Sequence, residues 1–127
     1  PAAGPSGGQD NNKLQQQFFE HLRAERNSTD DEFISMEENF VDIKFENKNC
    51  IELYEVKTSP HARGCIREAL GQLIFYASKI SSKKKMKLFV IGPSEMKESD
   101  RAYFNFVKDN LSLPFEYLPF RLQTGNI

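Results

Sequence analysis

The sequence predicts an α/β fold, a central mixed β-sheet flanked by helices. Three observations predict it. Apolar residues recur at helical spacing in residues 13–26 and again from about 65 to 80. Two runs rich in β-branched and aromatic residues, 40–45 and 51–57, flank a short polar stretch. An apolar run at 87–91 stops at Gly92-Pro93, as a strand buried on both faces would.

The elements follow in order. The first ten residues, PAAGPSGGQD, are rich in Pro, Gly and Ser and lack periodicity. Residues 1–12 therefore read as a disordered linker or tag remnant, and 13–127 as one domain that would fit within a longer protein. In residues 13–26, Leu14, Phe18 and Leu22 mark the apolar stripe of a helix, which ends at Asn27-Ser28-Thr29. Residues 33–37 read as a short strand. The runs 40–45 and 51–57 form a hairpin around Asn47-Lys48-Asn49-Cys50, a polar turn. Residues 59–64 read as a loop. In the next helix Ile66, Leu70, Leu73, Ile74 and Ala77 share an apolar face. A basic loop at 81–85 leads to the strand 87–91, then a helix at 101–110 and a last strand at 115–118. No segment repeats.

Bulk composition restricts the function. The 127 residues are 39% hydrophobic and 12% aromatic, with eleven Phe and no Trp, so one Phe-rich core is expected. The net charge of −1 excludes a globally basic nucleic-acid binder, and any such contact must rest on local charge. Cys50 and Cys65 form neither a C-x-x-C pair nor a zinc spacing, so free thiols in a reduced, intracellular and cytoplasmic protein are expected. No apolar run approaches the roughly 18 residues of a membrane span, and no signal-peptide pattern is present.

The hairpin carries the chemistry. If the turn is 47–50, Glu46 faces Ile51 and pairing runs outward until Asp42 stands opposite Glu55. Cross-strand neighbours have Cβ atoms roughly 4.5–5.5 Å apart on one face. Lys57, two residues beyond Glu55, points the same way. Adjacent carboxylates repel, and a hard divalent cation relieves that repulsion. Mg²⁺ is the expected cofactor, with Mn²⁺ as a substitute. Asp42 and Glu55 are the expected ligands, and the Val56 carbonyl between them is a third candidate. Lys57 would position a water or stabilise charge on a phosphate.

Asp42 followed by Glu55-Val56-Lys57 resembles the signature of the PD-(D/E)XK nuclease superfamily. The helix read as Ala69-Leu70-Gly71-Gln72-Leu73-Ile74-Phe75-Tyr76 is similar to those of its RecB-like and Mrr-like members. Val41 stands where the superfamily pattern often carries Pro. The resemblance implies a restriction endonuclease-like core in the order αβββαβ. It implies a Mg²⁺-dependent DNA endonuclease that leaves a 5′-phosphate, in microbial restriction, defence or repair. It also implies catalytic work for Gln72, strand contact for Tyr76, and a further acidic ligand on the first helix, for which Glu20 is the candidate and Glu37 and Glu38 are weaker rivals.

Two basic clusters would meet nucleic acid. Arg63 and Arg67 follow the Lys57 strand directly, with His61 beside them, and Lys83 and Lys84 lie in the run after the Gln72 helix. DNA is the expected partner and RNA the second candidate, with a homodimer and additional domains compatible with a chain of this size. The alternatives to the DNA endonuclease are an RNA-cleaving nuclease of the same fold and a catalytically idle nucleic-acid-binding module.

Overall fold

A computed structural model describes residues 3–26, 33–36 and 41–123. The expectations placed on Asn27-Ser28-Thr29, Glu37, Glu38 and Phe40 lie outside the described residues.

The chain forms a five-stranded mixed sheet with three helices. Helix α1 (Ala3–Glu25) is followed by β1 (Phe33–Met36), β2 (Ile43–Glu46) and β3 (Cys50–Val56). Then come α2 (Ala62–Lys79), β4 (Lys85–Gly92), α3 (Glu98–Asn110) and β5 (Phe115–Pro119). The strands lie in sequence order, with β1, β2 and β3 antiparallel and β3, β4 and β5 parallel. The α/β class and mixed sheet match the expectation. Because β3 and β4 run parallel, α2 must return against them, so its start lies beside the end of β3.

The central strand separates two apolar layers. Ile51 and Leu53 of β3, with Leu88 and Val90 of β4, pack under Ile66, Ala69 and Leu73 of α2 and Phe104 and Val107 of α3. Tyr54 and Val56, with Phe89 and Ile91, pack against Leu14, Phe18 and Leu22 of α1. This explains the unbroken apolar run of β4, whose alternate side chains enter opposite layers. Tyr54 stacks on Phe89 with ring centres 4.5 Å apart, and Phe18 closes on Tyr54 at 5.5 Å. Cys50 and Cys65 are free thiols, as expected.

Two helices begin earlier than their residue types suggest. Residues 62–64 carry the Arg-Gly signal of a loop, yet α2 starts at Ala62. Gly64 is required there by crowding, since a Cβ would collide with Ser59 Oγ. Helix α3 starts at Glu98 rather than 101, because Asp100 organises its first turn. Asp100 Oδ2 accepts from the Lys97 amide at 2.8 Å. Its Oδ1 accepts from the Arg63 amide at 3.2 Å and the Arg63 guanidinium at 2.9 Å. This carboxylate therefore joins the starts of α2 and α3. Burial alone would raise its pKa, but the Lys97 and Arg63 donors outweigh that and hold it below the ordinary value. The helix α1 extends upstream to Ala3, into the stretch read as a linker.

Asp100→Ala should therefore destabilise the domain by about 1–3 kcal/mol in urea unfolding, since buried amides lose their acceptor. Arg63→Ala should cost less, because its side chain is partly in solvent.

Candidate functional site

The turn forms at residues 47–50. Asn47 Oδ1 accepts from the amides of Asn49 and Cys50, each at 2.8 Å, and the Asn47 amide donates to the Cys50 carbonyl at 3.1 Å. Glu46 then pairs with Ile51 and Ile43 with Tyr54. The ladder ends at that pair, and Asp42 stands in a bend just beyond β2, beside Glu55 but outside the register.

The two carboxylates are interlocked through the backbone. The Val56 amide donates to Asp42 Oδ2 at 2.7 Å, and the Asp42 amide donates to Glu55 Oε1 at 3.2 Å and to the Tyr54 carbonyl at 3.1 Å. Lys57 Nζ lies 3.5 Å from Glu55 Oε2. The Lys57 amide donates to the Ile91 carbonyl at 2.9 Å, which holds the end of β3 against β4. Gln15 of α1 donates to the Asp42 carbonyl at 3.4 Å.

Burial sets the electrostatics. Glu55 is 1% exposed. Desolvation, and then the charge of Asp42, push its pKa up to about 7, against the opposing pull of Lys57 and the Asp42 amide. Asp42 is also raised, chiefly by desolvation, which outweighs the Val56 amide and Lys57. The donor set suits a small hard cation. Asp42 Oδ1 has no hydrogen-bond donor among the described residues, and an ion of this kind typically takes one or two carboxylates plus water and phosphate oxygens. Among the described residues no group of three or more His, Cys, Asp and Glu side chains gathers at one point, so the protein would supply only part of a coordination shell.

The structure brings Asp42, Glu55, Val56 and Lys57 together and leaves the other candidates elsewhere. Glu20 is exposed on α1, where it accepts from Gln16 at 2.9 Å and lines a separate cavity with His21 and Phe120. Gln15 reaches the hairpin instead, and five residues of helix carry Glu20 about 7.5 Å further along. Gln72 is exposed and lies about 15 Å along α2 from its start. Tyr76, one turn further, is half-buried against the α2 layer. Arg63 is tied to Asp100, and its guanidinium also reaches Ser99 Oγ at 3.2 Å. Arg67 is exposed on α2. Lys83 and Lys84 sit at the opposite end of the sheet, where Lys84 Nζ contacts Glu46 Oε2 at 2.6 Å. Gln15 and Asp100 were missed, since no local spacing marks a side chain that reaches another element.

The chain is similar to tyrosine recombinases. Tyrosine recombinase XerC of Listeria monocytogenes serotype 4b (strain F2365) is 32% identical over 107 residues, covering 80% of this chain and 35% of the relative. The same identity and coverage hold for the XerC proteins of serovar 1/2a (strain EGD-e) and serotype 4a (strain HCC23). The chain spans about a third of the length of these curated relatives. No protein-family model and no solved structure matches.

These relatives overturn the expected membership in the PD-(D/E)XK nuclease superfamily. The Mg²⁺-dependent DNA endonuclease, with its restriction, defence or repair role, and the RNA-cleaving alternative fall with it. The physical reason is that Asp42, Glu55 and Lys57 come together at the end of a hairpin, held by the Val56 amide on Asp42 and the Ile91 carbonyl on the Lys57 amide. Such backbone contacts arise from strand pairing and carry no signature of a reaction. Three side chains constrain charge and geometry, not the reaction they serve.

The Glu55 shift has a definite sign. The folded protein keeps a proton at Glu55 up to about pH 7, whereas an ordinary carboxyl releases it near 4.5. The resulting stability is fully present below about pH 4.5 and is lost as pH rises through about 7. Without divalent ions, urea unfolding should show a loss on the order of 3 kcal/mol between pH 5 and 8. Glu55→Gln should flatten that profile.

Proposed function

We propose that this chain is a DNA-engaging domain of a recombinase-type, DNA-processing protein. In this reading Asp42 and Glu55 hold a divalent cation, Mg²⁺ or Mn²⁺, against a DNA phosphate, with Lys57 as a second phosphate contact. The observation that carries the reading is the pairing of buried Glu55 with half-buried Asp42. The Asp42 amide holds Glu55 and the Val56 amide holds Asp42, with the Lys57 ammonium 3.5 Å from Glu55. Without a cation the pair is relieved only by the proton on Glu55 and by Lys57, and a cation bridging to an anion would relieve it further.

The similarity to tyrosine recombinases supports DNA as the partner, since recombination rearranges DNA strands. It does not make a nucleophile of the buried tyrosines. The Tyr54 hydroxyl donates to Glu52 Oε1 at 2.6 Å and the Tyr117 hydroxyl to the Ser94 carbonyl at 2.6 Å. Desolvation, above all, raises both phenols away from the phenolate form. Holding and positioning DNA is therefore the role assigned to this segment. Among the described residues no helix is long and apolar enough to cross a membrane.

Calorimetric Mn²⁺ titration and duplex binding by fluorescence anisotropy test the reading together. Wild type should bind Mn²⁺, and the affinity should rise with pH through about 7 as Glu55 gives up its proton. Added Mg²⁺ should tighten DNA binding about tenfold, a gain of about 1.4 kcal/mol. Glu55→Gln should abolish both effects. Equal DNA affinity in Mg²⁺ and in chelator would overturn the assignment.

Lys57→Ala separates the two partners of the phosphate. It should leave Mn²⁺ binding intact or tighter, because a neighbouring positive charge is gone, while DNA affinity falls a few-fold. A loss of Mn²⁺ binding in this variant would show that Lys57 supports the fold of the site rather than the ligand.

A further inference from the structure

The opposite end of the sheet carries a cradle that the carboxylate site does not use. Two loops form it, the 47–50 turn and residues 80–84 before β4. They are joined where the Lys85 amide donates to the Asn49 carbonyl at 3.3 Å. The Asn47 side chain closes the first loop, and Ser82 Oγ accepts from the Lys84 amide at 3.1 Å in the second. Between them lies an open cavity of about 720 Å³ lined by Lys48, Asn49, Ser82, Lys83, Lys84 and Lys85.

Lysines dominate its rim. Glu46 is the neighbouring carboxylate, and Lys84 and Lys44 already approach it at 2.6 and 3.7 Å. No ion pair engages Lys83 or Lys85 among the described residues, and both are exposed. Lys83 and Lys85 therefore add positive charge to one concavity, and an anion with several oxygens relieves their repulsion. The amide side chain of Asn49 and the hydroxyl of Ser82 add neutral hydrogen-bonding groups of the kind that position a phosphate.

Placement chooses between a free phosphate and a polymer. Lys44 and Glu46 lie on one face of β2, while Ile43 and Phe45 face α1. Asp42 just before the strand, then Lys44, Glu46 and Lys84, lead from the carboxylate pair to the cradle. The four-residue step from Asp42 to Glu46 covers about 13 Å of extended chain. That corresponds to about four base-pair steps along the DNA axis at 3.4 Å each.

We propose that the Lys48, Lys83, Lys84 and Lys85 cradle binds the DNA backbone, as a second phosphate contact displaced along β2 from the Asp42–Glu55 pair. This rests on the DNA reading given above but needs no divalent ion, because the lysines themselves supply the charge.

The double variant Lys83→Gln/Lys85→Gln tests it, since both side chains are exposed and circular dichroism can verify an intact fold. Anisotropy with a short duplex is read across a salt series, in chelator and in Mg²⁺. The variant should bind about tenfold more weakly at low salt, and the slope of log affinity against log salt should flatten by about 2, near 0.9 for each lost contact. Its Mn²⁺ affinity should match wild type. Wild-type affinity and slope in the variant would overturn the cradle and leave the carboxylate reading standing. A lost slope in the variant together with Mg²⁺-independent binding by wild type would uphold the cradle and remove the carboxylate reading. Binding of wild type to anionic phospholipid vesicles but not to DNA would overturn the choice of DNA, and binding to neither would overturn both assignments.

Discussion

The side chain of Asn47 closes the β2–β3 turn at four residues, and the register of the hairpin hangs on that closure. A slip of one residue would turn every side chain of one strand to the other face of the sheet. Asp42 would then enter the apolar layer of α1, and Glu55 would lose both its neighbour and the amide it accepts from. The interlocked carboxylates, the nearby Lys57 and the alternation that turns Lys44 and Glu46 away from α1 all depend on that turn length. Nothing downstream of β3 could restore them.

The position of β3 determines how strongly those charges interact. It is the middle strand of five, with α2 over one face and α1 over the other. A glutamate at the end of an edge strand would be hydrated and would titrate ordinarily. Here the same residue is desolvated, so a second carboxylate across the hairpin raises its pKa instead of being screened. The lysines of the 80–84 loop lie beyond the strand ends and stay in water. The domain thus keeps a desolvated carboxylate pair at one end of β2 and a lysine-lined cavity at the other.

How much of this was legible in the sequence depends on how local each cause is. Hairpin register needs only a turn length and alternation, so the pairing of Glu46 with Ile51 and Ile43 with Tyr54 could be derived from residues 43–54, while the bend at Asp42 could not. The strand at 87–91 and the two helices around it were legible from apolar patterning. Helix starts were not. Gly64 looks like loop punctuation until Ser59 is seen against it, and Asp100 works through amides in a different helix. Glu20 and Gln72 were placed by analogy to a pattern, but the orientation of a helix over a sheet is set by packing of Leu14, Phe18 and Leu73, which short motifs do not encode. Function was misread for a related reason, because a carboxylate pair with a lysine is a common product of strand pairing and carries little information about the reaction.

The locality of the hairpin also orders events in time. Strands β2 and β3 are joined by a tight turn, so their pairing closes a short loop, and isolated hairpins form in about 1–10 μs. The partner of β3 on its other side, β4, arrives only after the whole of residues 57–84 has been laid down, and such non-local pairing is slow. Asp42 and Glu55 therefore become neighbours while still surrounded by water, where their repulsion is weak. Dehydration follows when α2 docks, so the electrostatic penalty falls late in folding. Removing the Glu55 charge should accordingly act mainly by slowing unfolding, with little change in the rate at which the native state is reached.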